Sequence, residues 1–127
     1  MVLIGYSLAG LIAAAIIFIG LRFLWDPATA ASGYGMPGSP SPSARFTGWL
    51  AVKGVRDIAS GLFVVLLMAN GSPRLLGQFM LVASLIAMGD AVIVLRSGGS
   101  RAAAFGIHGV TALVIIATGV SLIAGAR

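Results

Sequence analysis

Apolar residues run almost without interruption over four stretches of this chain, and polar residues gather between them. Each stretch holds about twenty residues, which at roughly 1.5 Å of helical rise apiece matches a hydrocarbon core of about 30 Å. The pattern predicts membrane-spanning helices at about 2–24, 46–69, 75–95 and 102–126. The first run ends at Arg22, Trp25 and the pair Asp26-Pro27. A cleaved signal peptide is the rival reading there, since Ala28-Thr29-Ala30 mimics a cleavage site; the length of the run and the lack of a basic start argue for a retained span. Asn70-Gly71-Ser72-Pro73 and the segment 96–101 are short turns, so they imply antiparallel neighbours. The expected architecture is all-α: one domain over 1–127, an integral membrane four-helix up-down bundle.

The one long connection, residues 26–46, reads DPATAASGYGMPGSPSPSARF. Asp26 before Pro27 is a good helix-capping pair, so a short interfacial helix through Ala31 is expected. Gly33, Gly35, Pro37, Gly38, Pro40 and Pro42 then exclude regular structure. The segment reads equally as a flexible linker or as a re-entrant cover for the mouth of the bundle, anchored by Tyr34 and Met36.

Composition strengthens the membrane reading: 59% of the 127 residues are hydrophobic and only 9% are charged, with a mean hydropathy of +1.09. A soluble fold of this size carries roughly 25% charged residues. Cysteine is absent, which excludes disulfides and thiolate chemistry. The net charge of +5 does not point to nucleic acid, because the basic residues form no run. They mark topology instead. Arg22, Arg45, Lys53, Arg56, Arg96 and Arg101 fall at one end, against Arg74 and Arg127 at the other, so loops 25–46 and 96–101 are expected in the cytoplasm and both termini outside.

Ionisable groups inside the spans carry the candidate chemistry, because each costs at least about 2.5 kcal/mol to insert. They are Lys53, Arg56, Asp57, Asp90 and His108. By helical rise, Asp57 lies roughly 15 Å, Asp90 roughly 9 Å and His108 roughly 10 Å from the same end. Lys53, Arg56, Asp57 and Ser60 follow helical spacing as one polar stripe. Asp90 shares a face with Ala83 and Ala87, and His108 with Thr111 and Thr118. Three helices thus aim titratable groups at one polar pocket. The bland alternative is mutual satisfaction, Arg56 with Asp90 and Lys53 with Asp57, as interhelical glue. Small residues at Gly5, Ala9 and Ala13, and at Ala83, Ala87 and Ala91, suit close helix packing. Trp25 and Trp49 suit an interfacial belt, and Arg22 is expected to reach the headgroups. No phosphate loop, dinucleotide fingerprint, zinc-protease motif or serine elbow is present, so no metal or cofactor is implied.

The segments GLRFLWDP with ASGYGMP, AVKGVRDIASGL, and GDAVIVLRSGGSRAAAFGIHG resemble the domain of unknown function 4267 family, small four-span membrane proteins. The resemblance covers almost the whole chain and is most specific at Lys53 to Asp57, Gly89-Asp90 and His108-Gly109. It implies the four-span architecture and assigns no activity.

These residues support an expectation of a membrane-embedded site for a small, largely apolar molecule, with acid–base chemistry such as isomerisation or cyclisation. His108, Asp90 and Asp57 are the catalytic candidates, His108 because an unperturbed imidazole, with a pKa of about 6.5, suits proton transfer near neutral pH. Lys53, Arg56, Tyr34, Trp49 and Thr111 are the candidate ligand contacts. The alternatives are a proton- or ion-coupled small-molecule transporter and a structural membrane subunit. The expected partners are the lipid bilayer, the small hydrophobic ligand and a second copy of the chain.

Overall fold

A computed structural model describes residues 1–36 and 43–126. Among them the secondary structure is helical throughout. Helix α1 spans Val2–Trp25, α2 Pro27–Gly33, α3 Ala44–Asn70 and α4 Pro73–Arg96; α5, Arg101–Ala103, passes through a π-helical turn, Ala104–Gly109, into α6, Val110–Gly125. Pro37, Gly38, Pro40, Pro42 and Arg127, which figured in the loop and topology expectations, lie outside the described residues.

Capping chemistry sets the boundaries. Asp26 accepts from the Thr29 amide at 3.4 Å with Pro27 in the first turn, which starts α2 and carries it to Gly33, two residues past expectation. Ser43, Ser72 and Ser100 accept from the amides of Phe46, Leu75 and Ala103 at 3.2, 3.3 and 3.0 Å. Each hydroxyl satisfies a first-turn donor. The helices therefore begin one or two residues earlier than hydropathy alone suggested. Gly71 ends α3 in the left-handed region, at φ +78°, where a Cβ would be strained.

Helix α1 packs along α3 and α4 along α6; α1–α6 and α3–α4 contacts are briefer. Sequence proximity therefore does not decide packing: α3 and α4 share a tight turn yet diverge from it. Bare backbone makes the close pairs. A Cβ on Gly20 would meet the Gly54 carbonyl oxygen at 2.6 Å, and one on Gly54 would meet that of Gly20 at 2.6 Å. Gly77 and Gly119 face each other the same way between α4 and α6, at 2.7 and 2.9 Å. Such approaches are how helices associate where lipid supplies no hydrophobic drive. In the first helix the expected row Gly5, Ala9 and Ala13 is buried. In α4 the buried face is Gly77, Met80, Ser84 and Ala87, with Ala83 and Ala91 at its edges.

Large apolar side chains point outward. Leu3, Leu11, Val82 and Leu113 are all more than three-fifths exposed, while the core is built from Ala9, Ala13, Val64, Leu76, Met80, Ile115 and their neighbours. A water-soluble chain of this kind would expose a large aggregation-prone surface; in a bilayer this distribution is stable. Among the described residues, three helices are long and apolar enough to cross a membrane: Val2–Trp25, Pro73–Arg96 and Arg101–Gly125. The fourth expected span, α3, is as long as the others, but Arg45, Lys53, Arg56 and Asp57 occupy its first half. The fold is all-α and of membrane type.

Candidate functional site

The polar site is built on α3. Lys53 and Asp57, one turn apart, place Lys53 Nζ 2.8 Å from an Asp57 carboxylate oxygen. Asp57 is buried, while Lys53 keeps about a quarter of its side chain open. The ammonium also lies over two rings, 5.1 Å from the Phe23 centroid and 4.9 Å from that of Tyr34. Desolvated cation–ring contacts of this kind hold a cation in place.

Tyr34 follows α2 and turns back into the bundle. Its ring meets Phe23 edge-on at 6.3 Å and His108 at 4.5 Å. Its main-chain carbonyl oxygen lies 3.0 Å from His108 Nε2. A carbonyl only accepts, so Nε2 carries the proton and donates, which leaves Nδ1 as the basic nitrogen of the neutral ring. Nδ1 has no hydrogen-bond partner among the described residues. Burial, then the neighbouring Asp90 carboxylate and the charges of Asp90 and Asp57, push the Tyr34 phenol well above its ordinary value of 10.0. The phenol is therefore a donor throughout the physiological range.

His108 is buried and sits in the π-helical turn Ala104–Gly109. A π turn inserts one extra residue into a helix and so resets which side chains face inward. Thr111, just past the turn, returns its hydroxyl to the Ile107 carbonyl at 2.7 Å, and Thr118 is buried with its hydroxyl on Val114.

These groups surround one cavity of about 650 Å³ between the α1/α3 pair and the α4/α6 pair. Tyr34, Lys53, Asp57, Asp90, His108 and Thr111 all line it. A cavity of this size with a few convergent polar groups suits a small-molecule site. Arg56 and Trp49 lie elsewhere. Arg56 follows α3 round to the exposed side, about 100° from Asp57, and Trp49 is 68% exposed. Of the two ion pairs in the alternative reading, Lys53–Asp57 is formed and Arg56–Asp90 is not found among the described residues. Among the described residues Asp90 has no ion-pair partner.

Two contributors carried no periodic signal in the sequence. Phe23 is fully buried beneath Lys53, and Arg22 pairs with Asp26 at 3.5 Å while lining the cavity rather than reaching outward alone. Arg22 Nε is buried and has no partner among the described residues. Among the described residues no three His, Cys, Asp or Glu side chains gather as a metal-binding group.

A family model described as Domain of unknown function (DUF4267) matches residues 13–122. That span holds every ionisable residue of the cavity, from Arg22 to His108. No curated protein and no solved structure matches the chain.

Proposed function

The chain belongs to the DUF4267 family, and we propose that it is a membrane-embedded acid–base site for a small, largely apolar molecule. In this reading α3 completes a four-span up-down bundle, its charges tolerated because they face a polar cavity rather than lipid. Loops 25–46 and 96–101 face the cytoplasm, as the basic residues near them favour.

The observation that carries the reading is that Asp57, Asp90 and His108, from three separate helices, line the same cavity together with Tyr34 and Lys53. A structural staple needs no such space. His108 takes a proton from the bound molecule at Nδ1, since its other nitrogen is committed to the Tyr34 carbonyl. The imidazolium so formed returns that proton at a second position, while the Tyr34 phenol, kept protonated by burial and Asp90, serves only as a hydrogen-bond donor. One proton removed and one delivered at a second position is the balance of an isomerisation or a cyclisation. Lys53, held by Asp57 and two rings, stabilises negative charge that develops in between.

Two variants test this. Ala83→Trp fills the cavity from α4, and organic extracts of the purified protein should lose the small molecule that accompanies the wild type. Incubated in deuterated water, that molecule should gain deuterium with the wild type and not with His108→Gln. Identical extracts, or equal deuterium gain with a well-folded His108→Gln protein, would sink the proposal.

A further inference from the structure

The cavity is polar at one end only, and its walls are not closed. Leu11, Phe18 and Ile19 on α1, with Val110 and Val114 on α6, all line it. Each of these side chains is also 41–68% exposed. Residues that are both lining and exposed mark a mouth, and these five flank the cleft between α1 and α6. At the far end the cleft is shut, because α1 and α6 touch there: a Cβ on Gly5 would meet Leu122 at 2.7 Å and one on Gly125 would meet Val2 at 2.7 Å. At the polar end α2 and Tyr34 cover the opening, held by His108. On the opposite side of the bundle, among the described residues, only Ile86 is both lining and strongly exposed, and the Phe63 and Phe79 rings meet at 6.2 Å across α3 and α4. The mouth therefore faces hydrocarbon.

The pairing of charges at the polar end is incomplete. Lys53 is matched by Asp57 and Arg22 by Asp26. The Asp90 carboxylate has no ion-pair partner and His108 Nδ1 no hydrogen-bond partner among the described residues. Arg22 Nε, which has no partner among the described residues, is sealed from open space. Of the charged side chains that line the cavity, Arg22 and Lys53 each have a carboxylate partner and Asp57 has a cation, whereas Asp90 has no ion-pair partner among the described residues. A head that fits must donate hydrogen bonds and supply a positive charge. The wall of leucine, isoleucine and phenylalanine side chains below it fits an aliphatic tail.

We propose that the cavity takes a single-tailed lipophilic amine, which enters sideways from the bilayer between α1 and α6 and sets its ammonium on Asp90. This rests on the proposed ligand site and names the class of molecule it holds.

The test uses the full chain in lipid nanodiscs and radiolabelled dodecylamine, with competition by dodecan-1-ol, dodecanoate and dodecane, which share the tail and differ in the head. The amine should bind saturably and about ten-fold or more tightly than the alcohol, with dodecanoate and dodecane weaker still. Asp90→Asn should bring the amine down to the alcohol. Val114→Trp, at the mouth, should slow amine entry several-fold, while Val120→Trp, an exposed α6 position away from the cavity, should not. Equal affinity for amine and alcohol in the wild type overturns the inference without need of any variant, as does an Asp90→Asn protein of wild-type melting temperature that keeps the preference. Equal entry rates for the two tryptophan variants overturn the sideways route. In those cases the ligand-site reading stands; if none of the four probes binds saturably, that reading falls as well.

Discussion

His108 and Tyr34 lie 74 residues apart in the chain and are joined by one hydrogen bond, Nε2 to the main-chain oxygen at 3.0 Å. Their rings stack obliquely with centroids 4.5 Å apart. The bond ties the segment after α2 to the last helix and fixes the tautomer of the imidazole in the same stroke. Replacing His108 thus has two separable effects. His108→Ala should lower stability by about 1–2 kcal/mol, the cost of an unpaired buried acceptor, read as a lower melting temperature in detergent. His108→Gln keeps a donor within reach and should recover most of that loss while remaining unable to shuttle protons.

The Lys53–Asp57 pair should be unequal under mutation. Lys53→Met leaves the buried Asp57 carboxylate without its cation, and a cost of about 3 kcal/mol or more is expected. Asp57→Asn should cost less, since the partly open lysine can extend its ammonium outward. The combined Lys53→Met, Asp57→Asn protein should be more stable than Lys53→Met alone. Thermal unfolding of the three variants in one detergent measures the cycle.

Gly54→Ala should be among the most damaging single-methyl changes in the protein. Its Cβ would meet the Gly20 carbonyl oxygen at 2.6 Å, so the α1 and α3 backbones must separate, at a cost of about 1–3 kcal/mol. Gly48→Ala lies on the same helix with nothing within 4 Å. It should gain roughly 0.5–1 kcal/mol from helix propensity. Opposite signs in melting temperature are the expected result.

Alkaline pH should act through Tyr34. Its phenol holds its proton more tightly in the folded protein than in the unfolded chain, through burial first and Asp90 second. The associated stability is therefore complete below a pH of about 10, where an unfolded tyrosine ionises, and is lost as pH rises beyond it. In a Tyr6→Phe background, absorbance at 295 nm should report no phenolate at pH 10 while the protein is folded. Adding Asp90→Asn should bring ionisation to lower pH.

The chain contains no cysteine, so single thiols report orientation directly. Ser97→Cys, in the loop after α4, should resist a membrane-impermeant maleimide in intact cells. Ser72→Cys, before α4, should react.

Much of this was legible in the sequence because lipid imposes a simple grammar. Continuous apolar runs gave the helices within two residues, and the serines before α3, α4 and α5 account for the remainder. The convergence of Asp57, Asp90 and His108 on one cavity followed from counting rise along helices. Facing was harder. Arg56 and Asp57 are adjacent, so a stripe wide enough to include both spans about 100° of helix, and only packing decides which edge turns in. The π turn at Ala104–Gly109 has no hydropathy signature, since it changes hydrogen-bond register without changing composition. Phe23 read as one more apolar residue, and its place beneath Lys53 depends on Gly20 and Gly54 drawing two backbones together.

Those bare glycine contacts divide the molecule into two jaws, α1 with α3 and α4 with α6, each rigid because its backbones touch. Among the described residues no paired glycines bridge the jaws beside the cavity, and the Tyr34–His108 bond joins them at its polar end. A bulkier guest would have to part the jaws as whole bodies about the Gly71 corner, and because that corner lies at the far end of α3 the parting would strain the Tyr34–His108 bond that joins them at the polar end. The width of the gap and the geometry of the imidazole are in this way mechanically linked, so a change that loosens one is felt by the other.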